Sequence, residues 1–418
     1  MHGCSRRKRL SGGAALVALA AVGCAAPGAL APATGLEQGR AALAAGAYVD
    51  ARDAYRTWLV ARPGDPRAEL GLAAAYEGLD QLDSAHAAYA RVEATRPPAD
   101  VRRQLEARLR LLARRQLAEA ARAAVANEAA LGAAPPRPNS VAVLPFHYLG
   151  ADAQYQPLER GLAQLVVTDL AQVGSLTLLE REAAQWLLDE MKLTQLGLMD
   201  PVTAARSGRL LGAERVIQGS FQDLAGERMR IDGAAVATTS GTVAAAASAD
   251  DQLRLLFDAE KALVLDLLQR LDVSLTDAER ERIAERPTRS LQAFLAFSRG
   301  LGAEDRDAFA QAAREYRAAM RLDPWFRQAA QRAAAASSMA RAREVSLTGV
   351  AGWLDPVGDL TFLTDQLNYV MGSGMRSAER AQDPRGSGPP SGRDPVGDVG
   401  GEDRLGGFGT FLILIRRP

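Results

Sequence analysis

Apolar positions along this chain change period twice. From residue 35 to about Leu131, and again over 276–345, they recur at helical spacing with polar residues between them. In the middle, short apolar runs alternate with helical stretches. The breaker run Ala133-Ala134-Pro135-Pro136-Arg137-Pro138 marks the first change. Beyond it, Ser140 to Phe146 (SVAVLPF) predicts a buried strand, and Leu158, Leu162, Leu165, Val166, Leu170 and Val173 share one helical face. A short strand Leu176 to Leu179 follows, then a helix through Trp186, Leu187 and Met191, another from Pro201 to Leu211, and a strand Arg215 to Phe221. Met229 to Ala237 and Thr242 to Ala247 read as strands joined by Thr238-Thr239-Ser240-Gly241, a hairpin turn signal. A helix from Leu253 to Leu271 closes the segment. The order is β-α-β-α-α-β-β-β-α, an α/β sandwich over residues 139–272.

The helical stretches contain a repeat. Gly39, Ala51, Tyr55 and Pro63 are matched 34 residues later by Ala73, Ala85, Tyr89 and Pro97. Gly300, Ala312, Tyr316 and Pro324 keep the same internal spacings of 12, 4 and 8. That period is the one of tetratricopeptide repeats, pairs of antiparallel helices. The small residues let two backbones approach, the tyrosine fills the gap, and the proline ends the second helix. Asp80 stands where the first copy has Gly46, which predicts a different turn in the second. With an amphipathic helix from Val101 to Leu131, the first two copies reach the three units that bury a continuous core. The expected fold class is therefore α+β and multidomain. All-α tetratricopeptide repeats at 35–132, and a third within 276–345, flank the central α/β sandwich. Such units present a face to protein or peptide.

Both ends carry separate signals. Residues 5–10 are mostly basic, and Ala14 to Val22 supply nine apolar residues, a signal-type stretch too short to span a bilayer. Ala21-Val22-Gly23-Cys24-Ala25 resembles a bacterial lipobox. On that reading residues 1–23 are a lipoprotein signal peptide, the Cys24 thiol receives the acyl (palmitate-type) anchor, and 24–34 is a tether. A plain secretory peptide cleaved near Ala26 is the alternative. No Asp follows Cys24, which points to the outer membrane, facing the periplasm. Residues 346–375 read as irregular. The 376–418 tail reads as disordered from its Gly, Pro, Ser and Asp content, ending in an apolar strand, Phe411 to Ile415, expected to dock on a sheet edge or a partner.

Charge narrows the partners. The chain has 50 Lys+Arg and 50 Asp+Glu; without the first 23 residues it holds 46 basic against 50 acidic, a net −4, so nucleic acid is not an expected partner. Two cysteines, Cys4 and Cys24, make neither a disulfide framework nor a zinc cluster. The chain contains no phosphate-binding Gly-Lys-Ser/Thr loop, His-Glu-x-x-His, Gly-x-Ser-x-Gly, or Gly-x-Gly-x-x-Gly after a strand. His86 reads as solvent-facing on a repeat helix. His147 follows the first strand at the domain's top edge, as a satisfied loop histidine or a binding residue. Glu180-Arg181-Glu182 reads as helix capping or an anion or partner site, and Glu279 with Glu281 as a solvated helix face. No catalytic residue, metal or cofactor is expected.

The central segment also carries a resemblance. VAVLPF at 141–146, GLAQLVVTDLAQ at 161–172, LLERE at 178–182, LLGAERVIQGSF at 210–221 and the hairpin MRIDGAAVATTSGTVAAA resemble the CsgG family of curli-assembly lipoproteins and the related TolB-amino-terminal-like domains. The resemblance implies a non-enzymatic outer-membrane lipoprotein, a scaffold binding periplasmic or outer-membrane protein partners in envelope assembly or export. Cys24 matches the family's lipidated cysteine, and homo-oligomers are possible. Some family members build ring-shaped secretion pores, so an oligomeric pore for exported polypeptide is the alternative. A pore needs amphipathic strands of about 9 to 11 residues with an apolar outer row. The hairpin at about 227–250 offers mostly Ala there, with Arg228, Arg230 and Asp232 at one end, and the domain's own sheet needs it.

Overall fold

The computed structural model describes residues 35–131, 134–192, 200–225, 227–252 and 255–355. The leader, Cys24, the tether, the 376–418 tail and Phe411 to Ile415 lie outside the described residues.

Four short helices open the described chain: α1 (Gly35–Ala44), α2 (Tyr48–Ala61), α3 (Pro66–Gly78) and α4 (Leu82–Ala94). α2 packs on α1, α3 on α2 and α4 on α3. A Cβ placed on Gly39 would lie 2.7 Å from the Tyr55 ring, and one on Gly71 only 2.2 Å from it, so two glycines admit that ring between α1 and α3. Asp65 caps α3, accepting the Arg67 N–H at 3.0 Å. The long α5 (Ala99–Ala126) follows and breaks at Asn127 before α6 (Glu128–Leu131), where the sequence predicted one continuous helix.

The expected difference between the turns does not occur. Gly46 and Asp80 both adopt left-handed backbone, with φ of 73° and 59°, as does Asp307 at 56° in the third copy. At each turn the next residue's N–H reaches back five positions at 2.9 Å: Ala47 to Ala42 O, Gln81 to Tyr76 O, Ala308 to Ala303 O. Asp tolerates this conformation better than most non-glycine residues, so the same helix-ending geometry is built without glycine.

The central sheet contains β1 (Arg137–Val143), β2 (His147–Tyr148), β3 (Thr177–Leu178), β4 (Ala213–Leu224), β5 (Arg228–Ala237) and β6 (Val243–Gln252), in the order β3-β1-β4-β5-β6, with β2 also beside β4. β1 is parallel to β3 and β4, whereas β4, β5 and β6 form an antiparallel meander. Alternation along β1 sets the layers. Val141 and Val143 join the core under α7 (Leu158–Leu170) and α10 (Leu256–Arg270). Ala142 packs on the opposite face with residues of α8 (Arg181–Glu190) and α9 (Pro201–Leu211). Ala204, Ala205 and Gly208 let α9 lie close; a Cβ on Gly208 would fall 2.3 Å from Thr238 and 2.4 Å from Val216.

Several elements differ in extent from the sequence reading. β1 starts and ends three residues early, and β2, with a single 3-10 turn at Ala153–Tyr155, was not foreseen. β6 runs on through Asp250 and Asp251, because Arg228 on β5 pairs with Asp250 at 2.9 Å and keeps those charges in the ladder.

The remaining helices are α11 (Asp277–Ala284), α12 (Leu291–Asp305), α13 (Phe309–Leu322), α14 (Arg327–Glu344) and α15 (Leu347–Ala351). The last falls where irregular chain was expected; Ser346 caps it by accepting the Gly349 N–H at 3.1 Å. α12 to α14 share one apolar core with α7, α10 and the sheet, through Phe257, Phe294, Phe297 and Phe326. Val350 and Ala351 of α15 enter the core of α1 to α4 instead. α5 touches α4, α8, α9 and α14. The two helical regions, separated in sequence by the sheet domain, therefore close on each other.

Candidate functional site

A network of enclosed charged groups lies where the sheet domain meets the C-terminal helices. Arg181, at the start of α8, donates to Asp305, at the end of α12, through two nitrogens at 2.6 and 3.1 Å, and Arg160 of α7 joins Asp305 at 2.9 Å. From α14, Arg332 donates to Glu304 at 2.8 Å and lies 3.7 Å from Glu182. Tyr316 of α13 donates to the same Glu304 oxygen at 2.5 Å, and Arg114 of α5 donates to the Glu304 carbonyl at 2.9 Å and to Asp307 at 3.0 Å. Burial works against the Arg181 charge, yet Asp305 and Glu182 hold its pKa above the ordinary value. Burial alone would raise Glu182, but Arg181 and Arg332 bring it down to about 2. Burial, and then the charge of Glu182, push the neighbouring Glu180 up to about 7.

The same chemistry occurs in the N-terminal helices. Tyr89 donates to Glu77 at 3.0 Å, and Arg108 from α5 forks onto that carboxylate at 2.9 and 2.7 Å. Glu77 precedes Tyr89 by twelve residues, as Glu304 precedes Tyr316. In the first copy Leu43 occupies the corresponding place. The buried Tyr55 hydroxyl has no hydrogen-bond partner, and its pKa is raised by burial to about 12. Arg108 also donates to the Ala342 carbonyl of α14 at 2.7 Å, tying the N-terminal triad to the C-terminal helices.

Each repeat position has a definite place. Ala51, Ala73, Ala85 and Ala312 are buried between helices, with Tyr55, Tyr89 and Tyr316 enclosed beside them. A Cβ on Gly300 would lie 2.4 Å from the Tyr316 ring. Pro63, Pro97 and Pro324 follow the ends of α2, α4 and α13. The three sets are not brought to one surface; each is enclosed among packed helices.

The other residues singled out in the sequence separate. Arg181 and Glu182 belong to the junction, and Glu180 is the N-cap residue of α8 without a side-chain capping bond. Glu279 is not simply solvated: it completes a capping box with Thr276 and accepts the Gly174 N–H at 2.8 Å, which holds its carboxyl down at about 2. His86 is half-buried on α4. His147 lies on β2 with Nδ1 3.7 Å from Glu159, whose carboxylate accepts the Tyr148 N–H at 3.1 Å; Tyr148 donates to Asp223.

A further buried cluster ties α7 to α10. Lys261 Nζ donates to both oxygens of Asp169 at 2.6 Å and lies 3.4 Å from Glu260. Burial raises Asp169 to about 6 and Glu260 well above the carboxylate range. Among the described residues no group of His, Cys, Asp and Glu could hold a metal ion. A cavity of about 10 Å³ between sheet and helices, lined by residues such as Val166, Ile217 and Val264, is too small for an organic ligand. The arrangement locks helices and sheet together.

Sequence reasoning missed the Glu77 and Glu304 positions, although their common spacing to the tyrosines was there to be found. Among the described residues no helix is long and apolar enough to cross a membrane. No curated protein matches the chain. Among solved structures, the LpoB C-terminal domain from Salmonella enterica is similar at 13% identity with a TM-score of 0.24, covering 29% of this chain and 86% of that one. The family model described as curli production assembly/transport component CsgG matches residues 123–255, from the last turn of α5 through the whole sheet.

Proposed function

We propose that this protein is a non-enzymatic outer-membrane lipoprotein, anchored through Cys24 at the periplasmic face. It serves as a scaffold or adaptor that holds protein partners during envelope assembly or export. One observation supports this reading above the others. The segment matching the CsgG family model is joined through Arg181 and Asp305 to the tyrosine-wedged C-terminal helices, and through α5, whose Arg114 and Arg108 bind Glu304 and Glu77, to the N-terminal helix pairs. A domain held that firmly moves with the helices, so a partner on the helices and an assembly on the sheet domain would be kept at a fixed distance. The helix pairs are read as tetratricopeptide repeats and the central domain as CsgG-like.

A secretion pore is the competing outcome. Against it, β5 pairs with β4 from Arg215–Ala237 to Leu224–Arg228 and with β6 along almost its whole length, so this hairpin serves the domain's own sheet. Arg228 and Arg230 lie exposed on it, a poor surface for lipid.

Crosslinking in intact cells followed by pull-down, with size measurement of the purified protein, tests the reading. A retained envelope protein supports it. A monomer that retains no partner refutes it, as would detergent-extracted rings with conductance in planar bilayers. Cys24→Ala should make membrane association removable by a high-salt wash, which leaves an acyl anchor in place; association of that variant that still resists high salt refutes the anchor.

A further inference from the structure

Among the described residues, Trp325 is the most exposed large apolar side chain, at 87%, and Leu322, three residues before it, is 52% exposed. The turn that presents them, between α13 and α14, is firmly built. Asp323 accepts the Trp325 N–H at 3.0 Å on one carboxylate oxygen and the Thr288 hydroxyl on the other, and its carbonyl accepts the Phe326 N–H at 3.2 Å. Phe326 is buried with its ring 4.9 Å from that of Phe297. With Phe326 fixed inward, the indole beside it is held outward.

The turn itself does not call for an aromatic. The corresponding positions of the first and second copies hold Gly64 and Pro98. Basic residues border the turn that carries the indole. Arg321 and Arg327 flank the turn, and Arg289 follows Thr288, whose hydroxyl binds Asp323; all three are exposed, and among the described residues none pairs with a carboxylate. Asp323 is the one acid from 321 to 327, and both its carboxylate oxygens are engaged.

An outward indole beside a leucine, with exposed arginines on the residues that border its turn, is suited to a soft anionic interface. Indole rings favour the headgroup level of bilayers, and arginines near an anionic surface are drawn to it. A specific protein partner would need roughly 800 Å² of complementary surface, whereas this apex offers two large apolar side chains. We propose that the Leu322–Trp325 apex, with Arg289, Arg321 and Arg327, docks on an anionic phospholipid surface. This would add a non-covalent membrane contact to the proposed anchor, and it does not depend on acylation.

The processed chain, residues 24–418 with Cys24→Ala, lacks both the basic leader and the acyl group and separates the two. It should sediment with vesicles rich in phosphatidylglycerol and not with vesicles of phosphatidylcholine alone. Each Arg→Gln change at 289, 321 or 327 should lower the partition constant about fivefold, and Trp325→Ala by about tenfold, with thermal unfolding unchanged because these side chains are exposed. Absence of sedimentation with the anionic vesicles, equal binding to both vesicles, or binding untouched by Trp325→Ala and the triple Arg→Gln variant overturns the proposal. So does a photo-crosslinker at position 325 that in intact cells captures protein rather than lipid. None of these results bears on whether Cys24 is acylated.

Discussion

Arg181 and Asp305 face each other across 124 residues of chain in a two-pronged ion pair, both side chains almost wholly enclosed. One belongs to the sheet domain and the other to the C-terminal helices, so the pair adds a polar link to the apolar core the two share. Breaking a buried pair leaves a charge without its partner and typically costs about 3–5 kcal/mol. Arg181→Met and Asp305→Asn should each destabilise the protein by about that amount in urea unfolding. The double variant should lose clearly less than the sum; strict additivity would show that the pair carries no coupling.

The three repeat tyrosines should answer differently to loss of the hydroxyl. Tyr89 and Tyr316 hydrogen bond to glutamates that also bind arginines, so Tyr89→Phe and Tyr316→Phe should each cost about 1–2 kcal/mol. The Tyr55 hydroxyl is buried without a partner, and Tyr55→Phe should be neutral or mildly stabilising. Chemical denaturation of the three variants tests this, and a cost at Tyr55 equal to the others would contradict it.

Gly71→Ala should destabilise although alanine is the better helix former by about 1 kcal/mol. Its Cβ would lie 2.2 Å from the Tyr55 ring, inside a packed layer, and overpacking of that kind costs about 1–3 kcal/mol. Adding Tyr55→Leu, which withdraws the ring, should recover part of the loss when both variants are compared by thermal unfolding.

Glu180 makes stability depend on pH. Its folded pKa of about 7 lies above its ordinary value of 4.5, so folding favours the protonated form. The associated stability is complete below about pH 4.5 and is lost as pH rises through about 7. Glu180→Gln should therefore match the parent near pH 4 and exceed it by about 1–2 kcal/mol at pH 8. Melting temperatures across that window check the sign; a gain at the acid end would reverse it.

Much of the fold could be read in the chain because its determinants are local. The 2-residue and 3.6-residue apolar periods predicted the order of strands and helices in the middle domain, and the α9 boundaries at Pro201 and Leu211 agree with the reading. Where charge interrupted an apolar run, as at Asp250, the reading stopped early, since the arginine that pairs with it lies on another strand. The Asp80 turn was misjudged because the composition rule favours glycine, while the helix end fixes the conformation through its backbone hydrogen bonds. The tyrosine–glutamate spacing of twelve recurs in sequence, but its arginines do not. Arg108 lies 31 residues beyond Glu77 and Arg332 lies 28 beyond Glu304, each supplied by the next helix at its own distance.

By itself the sequence determined the helix pairs, the alternating middle segment and its CsgG resemblance, because spacing along one strand or helix is enough to choose which face is buried. Only the tertiary structure decided that α15 enters the N-terminal core, that α5 and α14 join the two helical regions, and that Arg181 meets Asp305. Those contacts depend on charge and shape complementarity between segments far apart in the chain, for which no local period exists.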